Sequence, residues 1–321
     1  MNEFELIAHF FSERKQGMRD DVVLGIGDDC AVLTLPQDKH LLMSMDTLVQ
    51  GVHFPETTQA SDIGYKALAV NLSDLAAMGG TPAWFSLALT LPTVDKTWLH
   101  GFSEGLFGLA EEFNVHLVGG DTTRGPLSLT IQVHGFAPVG KAITRQGAGV
   151  GDLIYVTNNL GDAGLALKHI QGQLQLPIDR FVAVLAQLNR PYPRVKEGQL
   201  LAHYATAMID LSDGLISDLG HILKQSKVGA RVYVDKLPLS SALSHSLPFT
   251  EAVGLALSAG DDYELCFTIP AAKKEAVEAL MLKAGGKITC IGEIISEPQL
   301  LLQKESEVFE RGTLKGYSHF S

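Results

Sequence analysis

Residues 67–80, which read Ala-Leu-Ala-Val-Asn-Leu-Ser-Asp-Leu-Ala-Ala-Met-Gly-Gly, constrain the fold more than any other stretch of the chain. Ala, Leu and Met favour a helix here, and Gly79-Gly80 is a good helix stop. Apolar residues fall on nearly every side, so we expect a buried helix. Asn71 and Asp74 share one of its faces. Because a carboxylate in such a helix is costly unless it is paired or holds a metal, Asp74 either caps a neighbouring turn or forms one wall of an acidic metal site.

The composition of the chain narrows its class. With 321 residues, of which 46% are hydrophobic, the chain can bury a substantial core, and we expect two domains. The 32 glycines suit an α/β protein with tight strand–helix turns. A net charge of −11 argues against a nucleic-acid groove, and an anionic ligand would need divalent metals between itself and the carboxylates.

The sequence favours a cytoplasmic protein that does not enter a membrane. No apolar run approaches the roughly 18 residues needed to span a bilayer. The start of the chain, Met-Asn-Glu-Phe-Glu, is acidic and lacks the basic beginning of a signal peptide. Cys30, Cys266 and Cys290 are far apart in apolar surroundings, which indicates buried thiols in a reducing compartment rather than disulfides or a zinc site.

Helices and strands alternate along the whole chain. Helices are predicted over 3–11, 62–78, 97–113, 161–171, 181–188, 195–203, 216–224, 251–257 and 271–283, and strands over 41–46, 85–91, 116–118, 127–137, 153–157, 207–209, 231–234, 263–269 and 287–293. Residues 139–149 are rich in glycine and have little hydrophobic pattern, so we expect the boundary between two domains there.

Aspartates recur at or next to the ends of the predicted strands and helices, mostly beside Gly or Ser: Asp28-Asp29, Asp46, Asp121, Asp210 and Asp261-Asp262. A single such residue is more often a turn former or an N-cap than a ligand. Five instances together with Asp74 favour a shared acidic pocket that holds hard cations. Mg²⁺ fits best, because it takes a few carboxylates and leaves its other positions to water and phosphate oxygens.

Other residues bear on phosphate binding. Gly119-Gly120 offers backbone N–H groups beside Asp121, which suits a phosphate with its metal. Arg124 and Arg145 lie in glycine-rich surroundings, where an isolated arginine is more often a surface residue than a ligand. The common phosphate loop, the dinucleotide-binding glycine pattern and the protein-kinase motifs are missing from the sequence.

Six motifs follow one another along the chain: Gly-Ile-Gly-Asp-Asp-Cys-Ala at 25–31, Asp-Thr-Leu-Val-x-Gly-Val-His-Phe at 46–54, Asn-Leu-Ser-Asp-Leu-Ala-Ala-Met-Gly at 71–79, Gly-Gly-Asp-Thr-Thr-Arg-Gly at 119–125, Ile-Asp-Leu-Ser-Asp-Gly-Leu at 209–215 and Gly-Asp-Asp-Tyr-Glu-Leu at 260–265. With them the chain resembles the thiamine-monophosphate kinases, of the fold family that includes aminoimidazole ribonucleotide synthetase and selenophosphate synthetase. The resemblance runs from the first helix to the last five residues.

The resemblance implies an α/β (α+β) chain with the two-domain aminoimidazole ribonucleotide synthetase-like fold. Residues 1–138 would be an N-terminal domain that binds ATP and metal and forms the dimer. Residues 139–149 would be a linker, and residues 150–321 a C-terminal α/β domain. The resemblance further implies a homodimer in which the N-terminal sheets pair into a barrel.

The resemblance also implies an activity, namely ATP-dependent phosphorylation of thiamine monophosphate to thiamine diphosphate with several Mg²⁺ ions, the last step of thiamine diphosphate biosynthesis. By position, the metal ligands would be Asp29, Ser44, Met45, Asp46, Asp74, Asp121, Asp210 and Asp213, with Asp74 shared among several ions. ATP would contact Gly120, Asp121, Arg145 and Ser212. Thiamine monophosphate would contact His53, Asp261 and Phe320, whose ring would stack on the substrate.

Two positions depart from the family pattern. The family often has Glu where this chain has Asp261, which is one methylene shorter. Its terminal motif commonly has Trp or Tyr where Tyr317 stands, so Tyr317 and Phe320 both stay candidates for the stacking role. Asn71 has no role in the pattern, and we expect it to orient Asp74 or a metal-bound water.

The acceptor of the implied reaction is a phosphate oxygen that is already anionic, so we assign no general base and expect direct in-line transfer. The alternatives are another ATP-cleaving enzyme of the same fold and a non-catalytic nucleotide-binding or metal-storing protein. A selenophosphate synthetase would have Cys or selenocysteine in an early glycine-rich loop, whereas Cys30 here follows the two aspartates. The related hydrogenase-maturation proteins end in Cys, whereas this chain ends in Phe-Ser.

Overall fold

The computed structural model of the chain describes residues 3–12, 16, 19–305, 307–310 and 316–317. Backbone contacts divide the chain into two compact units. Unit 1 comprises Met1–Leu75 and Gly80–Gly140, and unit 2 comprises Ala76–Gly79 and Lys141–Ser321. None of the described helices is long and apolar enough to cross a membrane.

Unit 1 is built on a mixed sheet. Its elements are α1 (Glu3–Ile7), which continues as a π-helix (Ala8–Ser12), β1 (Val22–Leu24), β2 (Val32–Leu33), β3 (Lys39–Val49), α2 (Ala60–Ala77), β4 (Thr81–Leu91), α3 (Lys96–Glu112), β5 (His116–Arg124) and β6 (Ser128–Pro138). Among the described residues, the sheet has the strand order β3-β6-β4-β5, in which β4 and β5 are parallel and the other neighbours antiparallel. The short strands β1 and β2 pair with each other.

Helix α2 is buried, as its composition predicts. Leu68 and Leu72 are fully buried, and so are the polar residues Asn71 and Ser73. The helix ends where the glycines predict, because Gly79 adopts a left-handed conformation with φ of 67° and the N–H of Gly80 donates to the Leu75 carbonyl oxygen. The apolar sequence of this helix therefore reflects contacts on nearly every side.

Two glycines allow α2 and α3 to pack with their backbones in contact. A Cβ atom added to Gly64 of α2 would lie 2.1 Å from the Phe102 carbonyl oxygen. A Cβ added to Gly105 of α3 would lie 1.8 Å from the Ser61 carbonyl oxygen. Because both contacts are to rigid backbone, no larger residue fits at either position without moving one helix.

Unit 2 is built on a second mixed sheet. Its elements are β7 (Asp152–Thr157), α4 (Asp162–Ile170), α5 (Ile178–Asn189), α6 (Val195–Leu201), β8 (Ala207–Asp210), α7 (Leu215–Ser226), β9 (Gly229–Tyr233), α8 (Ser241–Ser246), α9 (Phe249–Ser258), β10 (Leu265–Pro270), α10 (Lys274–Ala284), β11 (Ile288–Ile295), β12 (Leu300–Lys304) and β13 (Glu307–Val308). In the described part of the chain its strand order is β13-β12-β9-β11-β7-β10-β8, with only β12 and β9 parallel. Buried residues of β7, β8 and α7 share one hydrophobic core.

Three expectations about the ends of elements were wrong. Asp46 and Asp121 lie inside β3 and β5 rather than at strand ends, because pairing with β6 and β4 extends both strands. Strand pairing thus outweighs the strand-weakening effect of Gly119-Gly120. In unit 2, the strand predicted over 263–269 begins only at Leu265, since Tyr263 has a positive φ of 47°.

The cysteines are free, but they are not all buried. Cys266 is buried and Cys290 is half-buried, whereas Cys30 is exposed. The expectation of a buried thiol at Cys30 was wrong because the apolar residues around it in sequence belong to a short two-stranded hairpin with an exposed loop.

We predict opposite effects for two Gly→Ala substitutions on α3. Gly105→Ala should lower the free energy of unfolding by about 1–3 kcal/mol, because the new methyl group collides with the Ser61 carbonyl oxygen. Gly108→Ala should raise it by about 0.5–1 kcal/mol through helix propensity, because the added carbon meets no atom of the described residues outside its own helix within 4 Å. Chemical unfolding followed by circular dichroism measures both, and equal effects would contradict the close approach of α2 and α3.

Candidate functional site

A cavity of about 520 Å³ lies in unit 1, against the middle of β5. The loop over residues 25–31 forms one wall and residues 117–122 form another, with Ile7, Phe11 and Leu87 completing the lining. Asp28, Asp29 and Asp121 all face this cavity and are exposed. Its volume is that of a typical small-molecule site, and its ionisable lining groups include three carboxylates.

Two consecutive glycines shape the β5 wall of the cavity. A Cβ added to Gly120 would lie 2.0 Å from the Leu87 carbonyl oxygen, so β5 approaches β4 too closely for any side chain there. A Cβ added to Gly119 would meet no atom of the described residues within 4 Å, its chain neighbours apart, so this position presents bare backbone there. The glycine pair therefore leaves room for a bulky ligand beside Asp121.

A second polar group joins α2 to β3. The Ser44 hydroxyl donates to an Asp74 carboxylate oxygen at 2.5 Å. The Asn71 amide oxygen accepts from the Asp46 backbone N–H at 3.1 Å, and its nitrogen donates to the Ala67 carbonyl oxygen at 2.9 Å. Asn71 thus holds the backbone of β3 at Asp46, and the expectation that it orients Asp74 or a metal-bound water stays a prediction. Asp74 itself is half-buried, less than the helix around it.

The sheet register separates Asp46 from Asp121. Asp46 of β3 lies opposite Ile131 of β6, which in turn lies opposite Leu87 of β4. Asp121 of β5 lies opposite Ala88, the next residue of β4. Because neighbouring residues of a strand point to opposite faces, the two carboxylates lie on opposite faces of the sheet. Within the described ranges, no three His, Cys, Asp or Glu side chains are arranged to hold a metal ion. Asp28, Asp29 and Asp121 therefore face the cavity, while Asp46 lies on the other face of the sheet.

His53 is fixed in the loop that follows β3. Its Nδ1 atom accepts from the Val49 backbone N–H at 3.0 Å, so Nε2 carries the ring proton of the neutral imidazole. The buried Lys66 of α2 donates to the His53 carbonyl oxygen at 3.4 Å. This arrangement gives His53 one N–H donor in a defined direction.

In unit 2, residues 211–213 follow β8 and pair with residues 260–264, which precede β10. Asp210 is buried and lies opposite Leu265 in the sheet. The Asp261 N–H donates to the Ser212 carbonyl oxygen at 2.9 Å, and the Tyr263 N–H donates to the Leu211 carbonyl oxygen at 2.8 Å. The structure thus brings the predicted residues Asp210, Ser212 and Asp261 of this unit together.

Asp213 is held from two sides. Its backbone N–H donates to a carboxylate oxygen of the buried Asp218 at 3.0 Å, and its carbonyl oxygen accepts from the Tyr317 N–H at 3.0 Å. Burial raises the pKa of Asp218 to about 7, and the positive charge of Arg145 opposes that shift. The Tyr317 side chain is half-exposed, and Phe320 lies outside the described residues.

Sequence reasoning missed an ion pair beside this region. The Arg194 guanidinium binds both carboxylate oxygens of Glu264, at 2.8 and 2.7 Å. Burial lowers the pKa of Arg194, but its bonds to Glu264 outweigh this and raise it. Glu264 belongs to the Gly-Asp-Asp-Tyr-Glu-Leu motif, so its place in that motif was the available signal, whereas nothing near Arg194 in the sequence pointed to a partner 70 residues away.

Comparisons with known proteins agree in both units. The AIR synthase related protein family matches by its N-terminal domain over residues 27–137 and by its C-terminal domain over residues 149–304. The chain is 49% identical to thiamine-monophosphate kinase of Escherichia coli (strain K12), over 99% of this chain and 98% of that protein. It belongs to the thiamine-monophosphate kinase family.

Solved structures of thiamine-monophosphate kinases have the same fold. The crystal structure of the Stenotrophomonas maltophilia enzyme covers 90% of this chain and 93% of its own, with 44% sequence identity and a TM-score of 0.85. The structure of AaThiL complexed with AMPPCP and TMP covers 99% and 96%, with 28% identity and a TM-score of 0.78. The two-domain fold that the motifs implied is therefore confirmed.

We predict that Asn71 is needed for the join between α2 and β3. Asn71→Leu should lower the free energy of unfolding by about 1–3 kcal/mol, because the Asp46 N–H loses its side-chain partner beside a buried helix. The same change at Asn159, which accepts an exposed hydrogen bond from Lys287, should cost less than about 0.5 kcal/mol. Urea unfolding of both variants tests this, and similar losses would show that the Asn71 bridge contributes little.

Proposed function

We propose that this protein transfers the γ-phosphoryl group of ATP to the phosphate of thiamine monophosphate, giving thiamine diphosphate and ADP, the last step of thiamine diphosphate biosynthesis. The observation that carries this proposal is the 49% identity over almost the full length of the E. coli thiamine-monophosphate kinase. The AaThiL structure with AMPPCP and TMP supports the same pair of ligands, since AMPPCP is an analogue of ATP. The free cysteines agree with a place in the cytoplasm.

The residues that line the unit 1 cavity fit Mg²⁺. The lining offers carboxylate oxygens of Asp28, Asp29 and Asp121, with no nitrogen or thiolate ligand needed. Magnesium is bound in such sites by one or two carboxylates together with substrate phosphates, so a preformed cage of protein ligands is not required. When bound, Mg²⁺ ions would neutralise phosphate charge. We propose that several ions share the ligands, so that these residues need not meet at one ion: Asp29, Ser44, Met45, Asp46, Asp74, Asp121, Asp210 and Asp213.

We assign the remaining predicted residues to the two substrates. Gly120, Asp121, Arg145 and Ser212 would bind ATP, with bare backbone at the glycine and a guanidinium for phosphate oxygens. His53 and Asp261 would contact thiamine monophosphate, His53 through its Nε2–H. Phe320 is proposed for the stacking role together with Tyr317 as its alternative.

The acceptor needs no general base. A phosphate monoester has its second pKa near about 6, so its oxygen is largely ionised at neutral pH. In the proposed step this oxygen forms a bond to the γ-phosphorus while the bond from that phosphorus to the β–γ bridging oxygen breaks, and ADP leaves with the electron pair. The protein contributes alignment of the two phosphates and stabilisation of charge.

An assay of the purified full chain tests the proposal. The protein is incubated with ATP, MgCl₂ and thiamine monophosphate, and thiamine diphosphate and ADP are quantified by chromatography. We expect both products in equal amounts, and none when EDTA replaces MgCl₂. ADP without thiamine diphosphate would indicate another ATP-cleaving activity of this fold, and nucleotide binding without turnover would indicate a non-catalytic protein.

We predict that Asp74→Asn removes most of the activity and leaves the fold intact. The amide keeps an acceptor for the Ser44 hydroxyl but loses the negative charge proposed to bind metal, so kcat should fall by about 10²-fold or more. Asp62→Asn, in the first turn of the same helix, should leave turnover within about twofold. Near-normal turnover of the Asp74 variant across a Mg²⁺ titration would overturn the metal role of Asp74.

We further propose a homodimer in which two copies pair through the sheet of unit 1 as a barrel. Strand β3 is at one edge of that sheet, and its Leu41, Met43 and Met45 side chains are 40%, 58% and 57% exposed. A row of exposed large apolar side chains along an edge strand is typical of an interface.

We predict that Met43→Glu converts this dimer to a monomer, because it places a charge in the apolar row. The matched control is Leu282→Glu, which changes an 80% exposed leucine of unit 2 and should leave the molecular mass unchanged. Light scattering coupled to size-exclusion chromatography gives the mass of each variant. A monomeric unaltered protein, or an unaltered mass for Met43→Glu, would contradict the proposed interface.

A further inference from the structure

The loop over residues 260–264 holds a strained backbone. Asp261 has a φ of 69° and Tyr263 a φ of 47°, on either side of Asp262. Left-handed conformations are uncommon outside glycine, and for a bulky residue such as Tyr they are true outliers. Such strain persists only where the surroundings fix the backbone, and it is concentrated at functional sites. The contacts that fix this loop therefore bear on what it does.

One side of the loop is fixed by backbone hydrogen bonds to residues 211–212. The Asp261 and Tyr263 N–H groups donate to that segment, and the Leu211 N–H donates to the Glu264 carbonyl oxygen at 2.8 Å. Gly260 approaches closely enough that an added Cβ would lie 2.5 Å from the Ser212 carbonyl oxygen. These bonds set the distance between the two segments, and the Glu264 side chain adds a further anchor at the end of the loop.

The Glu264 side chain anchors the other side of the loop, and this side chain is only 6% exposed. Arg194, itself 14% exposed, donates two parallel hydrogen bonds to it, and the Thr157 hydroxyl of β7 donates a third. The Thr157 hydroxyl oxygen also accepts from the Leu265 N–H at 2.8 Å, so the start of β10 is tied to the same point. The two-pronged arginine contact defines orientation as well as distance.

A buried ion pair of this kind is weak evidence for stability, because desolvation offsets much of the attraction between the charges. Its geometric effect is larger, since a planar guanidinium fits a carboxylate in one arrangement. Glu264 lies three residues along the chain from Asp261, which we assigned to thiamine monophosphate. Neither Arg194 nor Glu264 has a role in the assigned site. The position and the geometry of the ion pair therefore both suit a role in orienting the loop.

We propose that Arg194 and Glu264 are positioning residues, which hold the strained 260–264 loop so that the Asp261 carboxylate is in place to bind thiamine monophosphate. This inference rests on the proposed function. The ion pair acts through the backbone of the loop and takes no part in phosphoryl transfer. Loss of the pair lets Asp261 and Tyr263 relax from their left-handed conformations and moves the carboxylate.

Steady-state kinetics of the full chain test the role of the pair. Glu264→Gln and Arg194→Lys each break the two-pronged contact with little change of volume, and each should raise KM for thiamine monophosphate by about tenfold or more. KM for ATP and kcat should change by less than about threefold. Glu197→Gln is the matched control, because Glu197 lies 3.9 Å from the Arg194 guanidinium on its other side and should leave all three constants unchanged.

The outcomes separate this inference from the proposed function. No thiamine diphosphate from the unaltered protein would overturn the proposed function. Product from the unaltered protein, with an unchanged KM for thiamine monophosphate in both variants, would overturn the positioning role alone, whatever their melting temperatures. Should either single variant not fold, the double variant Arg194→Met/Glu264→Gln removes both charges and is held to the same criterion.

Discussion

The join between α2 and β3 is the interaction on which unit 1 depends. A helix that is buried on nearly every side has to satisfy its polar groups within the protein, and Asn71 and Asp74 do so on the strand. The Asn71 amide oxygen accepts from the backbone N–H of Asp46, so it fixes the position of β3 relative to α2. On another side, Gly64 and Gly105 bring α3 into backbone contact. One face of the sheet is thereby covered, and on the other face Asp121 stays exposed beside the cavity.

In unit 2, the predicted site residues lie on loops or at a strand end rather than on a helix, so other contacts must hold them in place. Asp261 is on a loop that would relax without support, and that support comes from Leu211, Ser212 and the Arg194–Glu264 pair. The segment that carries Ser212 therefore also holds the segment that carries Asp261. Three backbone hydrogen bonds join the two segments, so a displacement of either one is transmitted to the other.

Sequence reasoning succeeded where a pattern is local. Alanine, leucine and the two glycines fixed the position of α2 within two residues, and the apolar alternation over 127–137 matched β6. It failed where pairing between strands that are distant in sequence decides how long a strand is. The strands of Asp46 and Asp121 continue past these residues because a neighbouring strand pairs with them. It also failed at Tyr263, because a positive φ in a tyrosine has no local signature. Arg194, the partner of Glu264, is 70 residues away in the sequence, and hydrophobic periodicity does not indicate contacts at such a separation.

The aspartates of the motifs differ in burial, and this difference separates their roles. Asp28, Asp29 and Asp121 are exposed in the cavity, where a carboxylate can meet a cation with its phosphate. The carboxyl group of Asp262 is withdrawn from water, and burial raises its pKa well above its usual value, although the hydrogen bond from the Gly161 N–H opposes that shift. A carboxyl held toward its neutral form is a poor ligand for Mg²⁺. Of the neighbouring Asp261 and Asp262, only Asp261 therefore suits a role toward a charged substrate.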